Sequence, residues 1–261
     1  MKRTTIATLR SQKGQAKFSC VTGYDATFAH WISESDVDVI LVGDSLGMVI
    51  QGKGSTVGVS LDEMAYHTRC VAQTNRHCLV ISDLPFMQAA SVDRALDGAQ
   101  ALMQAGAEMV KIEGDERLVP IVDALNAAGV PVCVHLGLTP QFVHRFGGYK
   151  VQGRDQATRD ATLKAAQALT AAGADIVLLE CVPSDLAREV TEAVSVPVIG
   201  IGAGADTDGQ ILVLHDMLGF NPHRLARFVK VYTGSPLDAL NAYASDVRDG
   251  SFPAAEHQFL D

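Results

Sequence analysis

The nine residues Ala105-Gly-Ala-Glu-Met-Val-Lys-Ile-Glu113 recur in altered form as Ala172-Gly-Ala-Asp-Ile-Val-Leu-Leu-Glu180. In both copies, small residues that end a helix lead almost at once into an apolar run typical of a strand buried on both faces. A shorter pair repeats in the same way, with Gly129-Val-Pro-Val132 matching Ser195-Val-Pro-Val198. These repeats predict successive βα units and therefore a parallel sheet.

The same alternation extends over the whole chain. Strands are predicted at residues 17–21, 37–42, 77–81, 109–112, 131–135, 176–179 and 197–201, with a weaker eighth at 211–214, where a helical turn fits almost as well. Helices are predicted from Ala26, from Leu61, over 92–104 after an N-cap at Ser91, over 116–128, 156–172 and 236–247, and to Val194 after an N-cap at Ser184. Eight units would close a (β/α)8 barrel, whereas six or seven would leave an open doubly wound sheet. No linker interrupts the pattern, so residues 1–261 are predicted to form one domain.

Composition narrows the class of protein. The formal charge of −9, from 30 acidic against 21 basic residues, argues against a nucleic-acid partner. The five cysteines form no Cys-x-x-Cys pair, which favours small buried side chains over disulfides or a metal site. The N-terminus lacks the apolar segment of a secretory signal, and no apolar run approaches a membrane span. A cytoplasmic enzyme without membrane contact is expected.

Four apolar runs end on a carboxylate, namely Asp44, Asp83, Glu113 and Glu180. Carboxylates at buried strand ends are costly, and parallel strands bring them to one rim. Asp44 and Asp83 are the best candidates for a hard cation such as Mg²⁺, with Glu113 binding directly or through water. The alternative is that these acids cap the following helices, and Pro85 after Asp83 suits such a helix start.

Four features at or near the same rim suggest more specific roles. Lys111 lies two residues before Glu113 and faces the same side, so it is either part of a structural ion pair or a ligand for a substrate carboxylate. Glu180 could be a second metal ligand or a general base. His135 ends the fifth strand and fits a hydrogen-bonded core residue as well as a catalytic one. The glycine run at 200–204 suggests a tight rim where backbone approaches a ligand.

A longer series of motifs resembles the ketopantoate hydroxymethyltransferase family. The matching segments, in order, are Tyr24-Asp25, Val42-Gly-Asp-Ser-Leu-Gly47, Asp83-Leu-Pro-Phe86, Val110-Lys-Ile-Glu-Gly114, His135-Leu-Gly-Leu-Thr-Pro-Gln141, Gly147-Gly-Tyr-Lys-Val-Gln-Gly-Arg154, Gly200-Ile-Gly-Ala-Gly204, Asp208-Gly-Gln210 and His215-Asp-Met-Leu-Gly219. The resemblance runs from about Lys17 to Phe259. One departure is Thr207, where the family often has Cys; we expect it to lie beside the site.

The resemblance implies a closed (β/α)8 barrel and a defined reaction. It implies transfer of a hydroxymethyl group from 5,10-methylenetetrahydrofolate to 3-methyl-2-oxobutanoate through an enolate that Mg²⁺ stabilises, in pantothenate biosynthesis. By the same resemblance, Asp44 and Asp83 hold the metal, and Glu113 supports it. Ser45 and Lys111 bind the substrate carboxylate, and Glu180 is the base. His135 is expected at the substrate. Family members are homo-oligomers, often decamers, so this chain is expected to form a homo-oligomer as well.

Two other functions fit part of the pattern. Mg²⁺-dependent lyases of the isocitrate-lyase type act on 2-oxo acids with similar strand-end acids, but they use a Lys-x-Cys-Gly-His loop that this sequence lacks. A barrel that binds metal or keto acid without turnover is the non-enzymatic alternative. It is disfavoured because every expected ligand and the expected base are present.

Overall fold

The computed structural model describes residues 2–260 and shows a closed barrel of eight parallel strands. The strands are β1 Phe18–Thr22, β2 Val39–Val42, β3 Leu79–Asp83, β4 Met109–Glu113, β5 Val132–Gly137, β6 Ile176–Glu180, β7 Val198–Ile201 and β8 Gly209–Leu212. They pair in chain order, and β8 closes the ring by pairing with β1. The predicted (β/α)8 barrel is therefore confirmed. Met1 and Asp261, the ends of the predicted single domain, lie outside the described residues.

Helices surround the barrel. They are α1 Ile6–Gln12, α2 Ala26–Glu34, α3 Leu46–Val49, α4 Leu61–Thr74, α5 Val92–Gln104, α6 Val119–Ala127, α7 Val143–Phe146, α8 Gln156–Ala171, α9 Ser184–Ala193, α10 Leu214–Met217 and α11 Pro236–Asp249. Short 3₁₀ turns occur at Thr56–Gly58, Gln88–Ala90, Glu116–Leu118, Pro140–Phe142 and Ala255–His257.

Several predicted boundaries change for local reasons. The weak eighth strand runs over Gly209–Leu212, and the competing helical turn follows it as α10, so both features are present. Ser184 is the first residue of α9 rather than its N-cap, because Pro183 occupies that position. Ser91 does cap α5, accepting the backbone N–H of Arg94. The predicted helix over 116–128 begins as a 3₁₀ turn before α6.

Side chains alternate between two separate apolar cores, as the two-residue period of a strand requires. The inner core fills the barrel with Phe18, Cys20, Val39, Leu41, Leu79, Ile81, Met109, Cys133, Ile176, Leu178, Ile199, Ile201 and Ile211. The larger outer core lies between strands and helices. All five cysteines are free, and four of them are buried, in agreement with their expected packing role.

An acid immediately precedes every second strand at the amino-terminal end of the barrel. A side-chain oxygen of each accepts the backbone N–H at the start of the preceding strand: Asp38 from Ser19 (2.9 Å), Glu108 from Val80 (3.2 Å), Asp175 from Val132 (2.9 Å) and Asp208 from Val198 (2.8 Å). We call these four residues the lower acids. Two of them, Glu108 and Asp175, occupy equivalent positions in the sequence repeat.

The segment before β1 closes this end of the barrel. Leu9 of α1 is fully buried in the inner core. Around it, three cations pair with three lower acids: Arg3 with Glu108 (3.0 Å), Arg10 with Asp175 (2.6 Å) and Lys13 with Asp208 (3.0 Å). Arg248 of α11 lies 3.4 Å from the fourth, Asp38. The sequence patterns did not predict α1, which belongs to no βα unit.

Within residues 2–260, no helix is both long and apolar enough to cross a membrane.

We expect Leu9→Ala to lower the free energy of unfolding by about 2–5 kcal/mol, because it leaves a cavity in the inner core. Urea unfolding followed by circular dichroism measures this loss. Ala7→Ser, at an exposed position of the same helix, is the control and should change stability little. Equal stability of Leu9→Ala and the control would mean that α1 does not contribute to the core.

Candidate active site

The carboxyl ends of β2 to β6 carry the polar side chains predicted from the strand ends. Four polar residues each follow an apolar inner-core residue by two positions on the same strand, so they face the barrel interior nearer its carboxyl end. They are Asp83, Lys111, His135 and Glu180. Together with Asp44, they line a cavity of about 190 Å³ that also contains Ser45 and Glu113. All seven predicted site residues therefore meet in one place.

Lys111 is at the centre of the buried charges. Its Nζ lies 3.1 Å from Asp83 Oδ1 and 3.1 Å from Glu113 Oε1. It is also 3.3 Å from His135 Nδ1. Only 5% of the Lys111 side chain is exposed, so these carboxylates replace the water it has lost. The structural ion pair considered for Lys111 is present, and the same ammonium faces the cavity.

His135 joins two carboxylates across the fifth strand. Its Nδ1 lies 3.1 Å from Glu113 Oε1, and its Nε2 lies 3.3 Å from Glu180 Oε2. Glu113 therefore holds the Nδ1 side of the ring, whereas Nε2 faces Glu180 in an ion-pair contact without a hydrogen bond, and the side chain of Glu180 is 16% exposed at the cavity end of this chain. Glu180 is the more accessible of the two carboxylates, since the side chain of Glu113 is only 1% exposed.

Gln141 is a central residue of the site that strand periodicity could not identify. Its side-chain Nε2 donates to Asp44 Oδ2 (2.8 Å) and to the carbonyl of Leu84 (3.0 Å). Its backbone N–H donates to Glu113 Oε2 (3.0 Å). Gln141 lies in a 3₁₀ turn of the β5–α8 loop, and its only sequence signal is its place in the quoted motif that begins at His135.

The pKa values reflect an excess of negative charge. Burial raises the pKa of Asp44 well above the usual aspartate range, and repulsion from Asp83 and Glu113 adds to the rise. Burial also raises the pKa of Asp83, against the opposing attraction of Lys111. Burial alone would raise the pKa of Glu113, but Lys111 and His135 outweigh it and lower this pKa to about 2.

The two buried cationic groups respond in the opposite sense. Burial disfavours the charge of Lys111, but Asp83 and Glu113 outweigh it and raise the pKa of Lys111 well above normal. Burial is the largest influence on His135 and lowers its pKa, but Glu113 and Glu180 together outweigh burial, so the pKa of His135 is raised as well. The Lys111 ammonium is thus held firmly in its charged form, and it still leaves Asp44 without a direct cationic partner among the described residues.

This donor set fits a hard divalent cation. One ligand atom each from Asp44, Asp83 and Glu113 lies within 4.8 Å of the others, and all three residues are buried. Oxygen-only ligands of this kind suit Mg²⁺, which typically takes one or two carboxylates directly. Both oxygens of Glu113 already accept hydrogen bonds, whereas Asp83 Oδ1 has only its ion-pair contact with Lys111 within the described chain.

The alternative role for these acids, capping the next helix, is wrong. The N-cap of α3 is Ser45, without a side-chain capping bond, and Asp83 Oδ2 instead accepts the backbone N–H of Asp44 (3.0 Å). The Ser45 hydroxyl lies 2.9 Å from the hydroxyl of Tyr24 and lines the cavity. Both acids are therefore used within the site rather than for helix initiation.

Loop residues complete the cavity, and the strand patterns did not predict them. Pro140 and Tyr149 come from the β5–α8 loop, Met48 from α3, and Asp216 and Phe228 from the region after β8. The hydroxyl of Tyr149 lies 3.5 Å from the sulfur of Met48, so the β5–α8 loop meets α3 at the rim.

The glycine run after β7 makes the expected close approach, but to an aromatic ring. A Cβ at Gly202 would lie 2.7 Å from Cδ1 of Phe228 and 3.1 Å from Cε2 of Phe259. Gly202 therefore seats Phe228 against the cavity wall. Thr207 is fully buried, bonds to the Gly209 carbonyl and does not line the cavity, so the expectation that it lies beside the site is wrong.

Comparisons with known proteins agree on one family. The family model for ketopantoate hydroxymethyltransferase matches residues 3–255. A 3-methyl-2-oxobutanoate hydroxymethyltransferase of Marinobacter nauticus is 58% identical over 260 residues, covering 98% of each chain. A protein of the same name from Alcanivorax borkumensis is 54% identical, covering 98% of this chain and 99% of its own.

Solved structures of more distant proteins share the fold. The phosphoenolpyruvate phosphomutase of Streptomyces platensis superposes with a TM-score of 0.63 at 14% identity, covering 82% of this chain and 83% of its own. At this identity, the likeness supports the barrel alone.

We expect Gln141→Ala to weaken divalent-cation binding about tenfold, because Asp44 loses the donor that orients it. Binding of Mn²⁺, a spectroscopic substitute for Mg²⁺, is measured by electron paramagnetic resonance. Gln156→Ala removes an exposed glutamine that bonds to Asp160 on α8 and is the matched control. Unchanged Mn²⁺ affinity in Gln141→Ala would contradict this role.

Proposed function

This chain belongs to the ketopantoate hydroxymethyltransferase family, and on that premise we propose that it transfers a hydroxymethyl group to 3-methyl-2-oxobutanoate. The product is 2-dehydropantoate, a precursor of pantothenate. We take 5,10-methylenetetrahydrofolate as the one-carbon donor, which leaves as tetrahydrofolate. The observation that carries the proposal is the continuous buried chain of contacts from Asp83 through Lys111, Glu113 and His135 to Glu180.

The Asp44 side of the cavity is proposed to bind the 2-oxo acid. Asp44 and Asp83 would hold Mg²⁺, and Glu113 would contribute charge or a water-mediated contact. When bound, the metal ion would polarise the keto oxygen and make the C3–H bond more acidic. Lys111 and the Ser45 hydroxyl would bind the substrate carboxylate, and both groups line the cavity.

Glu180 is proposed as the base that takes the C3 proton. A general base must be reachable by substrate, and Glu180 is the most exposed carboxylate of the contact chain. His135 on β5 would hold the Glu180 carboxylate of the neighbouring strand β6 in place and stabilise its charge. Fixed donors of this kind keep a catalytic group oriented while the proton moves.

The second half of the reaction forms the new carbon–carbon bond. The electron pair left at C3 forms a bond to the methylene carbon of the folate as one of that carbon's two bonds to nitrogen breaks. Water supplies the hydroxyl group as the second carbon–nitrogen bond breaks, and the C3 proton held by Glu180 and the second proton of the water go to the two freed nitrogens, which gives tetrahydrofolate. Apolar residues Leu178, Ile201 and Ile211 also line the cavity and suit the two methyl groups of the substrate.

The lyase alternative has less support. Its characteristic Lys-x-Cys-Gly-His loop is absent from the sequence, and the lyase-type structural relatives share only the fold. The expected homo-oligomer stays a prediction, which sedimentation measurements would test.

We expect the protein with Mg²⁺ and keto acid, but without folate, to exchange the C3 hydrogen with D₂O. Glu180→Gln should slow this exchange by about 100-fold or more while keto-acid binding persists. Proton NMR follows the exchange, and calorimetry follows binding. Glu189→Gln, at an exposed position of α9, is the matched control. Exchange at the normal rate in Glu180→Gln would remove it as the base.

We expect chelation of divalent cations to abolish the exchange and added Mg²⁺ to restore it. Asp83→Asn should retain little exchange and bind Mn²⁺ at least about tenfold more weakly, because an amide is a poorer ligand than a carboxylate. Asp62→Asn, exposed in the first turn of α4, serves as the control. Full activity of the chelated protein would exclude a metal-dependent reaction.

A further inference from the structure

A basic segment follows β8 and stands out from an otherwise acidic chain. Residues 219–234 contain Arg224, Arg227, Lys230 and His223 but no aspartate or glutamate, although the whole protein carries a charge of −9. Lys230 is neutralised by Asp246 of α11. The uncompensated positive charge therefore belongs to residues 221–228, which we call the basic arch.

Both ends of the basic arch are fixed at the cavity. At one end, Asn221 donates its side-chain amide to Asp216 Oδ1 at 2.7 Å, and Asp216 lines the cavity. At the other end, Phe228 forms part of the cavity wall, where its ring packs against Gly202. The residues between these two anchors therefore connect two parts of the cavity wall, and none of residues 221–227 lines the cavity itself.

The two arginines of the arch are exposed and only lightly engaged. Arg227 donates through Nε to the backbone carbonyl of Glu256 (2.9 Å), which leaves both terminal nitrogens of its guanidinium unused by the described residues. Arg224 has no hydrogen bond or ion pair with any of residues 2–260. Their charge is not used to hold the fold together.

The positions of the charges indicate a second anionic ligand. Lys111 is the proposed partner of the keto-acid carboxylate inside the cavity, and neither Arg224 nor Arg227 lines that cavity, so the two arginines are free for a different anionic group. The one-carbon donor has a different shape. Its pterin end must enter the cavity to deliver carbon, and its glutamyl tail, with two carboxylates, must then project outwards past the mouth.

We propose that the basic arch binds the glutamyl carboxylates of the folate co-substrate through Arg224 and Arg227, with Phe228 packing against the aromatic part that leads into the cavity. This inference rests on the proposed function. Arginine suits the task because its planar guanidinium can hold a carboxylate with two parallel hydrogen bonds. Because the contact is exposed, it should weaken as salt concentration rises.

The test measures KM for 5,10-methylenetetrahydrofolate in Arg224→Gln, Arg227→Gln and the double variant. We expect increases of about threefold for each single variant and about tenfold for the double variant, with weaker salt dependence than wild type. Arg224→Glu should raise KM further, because it repels the tail. KM for the keto acid and the folate-free exchange at C3 should stay within about twofold, since neither involves the tail.

The matched control is Arg76→Gln, which removes an exposed arginine that precedes β3 at the opposite end of the barrel. The triglutamyl form of the folate gives a second comparison: we expect wild type to have a lower KM for it than for the monoglutamyl form, and this difference should shrink in the double variant. A double variant with unchanged folate KM would overturn the role of the arch and leave the proposed function intact. Wild-type protein that exchanges C3 hydrogen but transfers no carbon from folate would overturn the proposed co-substrate and this inference with it.

Discussion

Three buried carboxylates share one buried ammonium at the carboxyl end of the barrel, and this imbalance shapes the whole site. Lys111 is within 3.1 Å of both Asp83 and Glu113, yet Asp44 is left with only the amide of Gln141. An unpaired buried charge is costly, so the pKa of Asp44 rises. A buried cluster with more acids than cations favours the binding of a further cation.

The two ends of the barrel use acids for different purposes. At the amino-terminal end, each lower acid accepts a backbone N–H and lies near a cation, so its charge and hydrogen bonds are satisfied. At the carboxyl end, the acids outnumber the cations and face a cavity. This contrast follows the general division of such barrels into a stabilising face and a functional face. The sequence repeat carries both kinds of acid, since Glu108 directly precedes β4 and Glu113 is its last residue.

The sequence predicted those site residues that interrupt a regular pattern. A carboxylate at the end of an apolar run, as at Asp83 or Glu180, contradicts the pattern and is therefore visible. Gln141 and Phe228 lie in irregular loops, where no period exists to be broken, and only their contacts reveal them. The glycine run predicted that some group comes close to the backbone at Gly202. It could not predict which group, because the ring of Phe228 is 26 residues further along the chain. The family resemblance was needed to decide barrel closure, since β8 is short and begins at a glycine.

The segment before β1, which closes the amino-terminal end of the barrel, has a consequence for the order of folding. The segment that carries Arg3, Arg10 and Lys13 is synthesised before any strand, but two of its partners, Asp175 and Asp208, precede β6 and β8. Contacts across such sequence separations form slowly, because most of the chain must be ordered first. Leu9 therefore stays without its core during most of synthesis, exposed to the surfaces of other nascent chains. The helix α1 is thus made before every strand of the barrel, but it reaches its final contacts only after the last strands are in place.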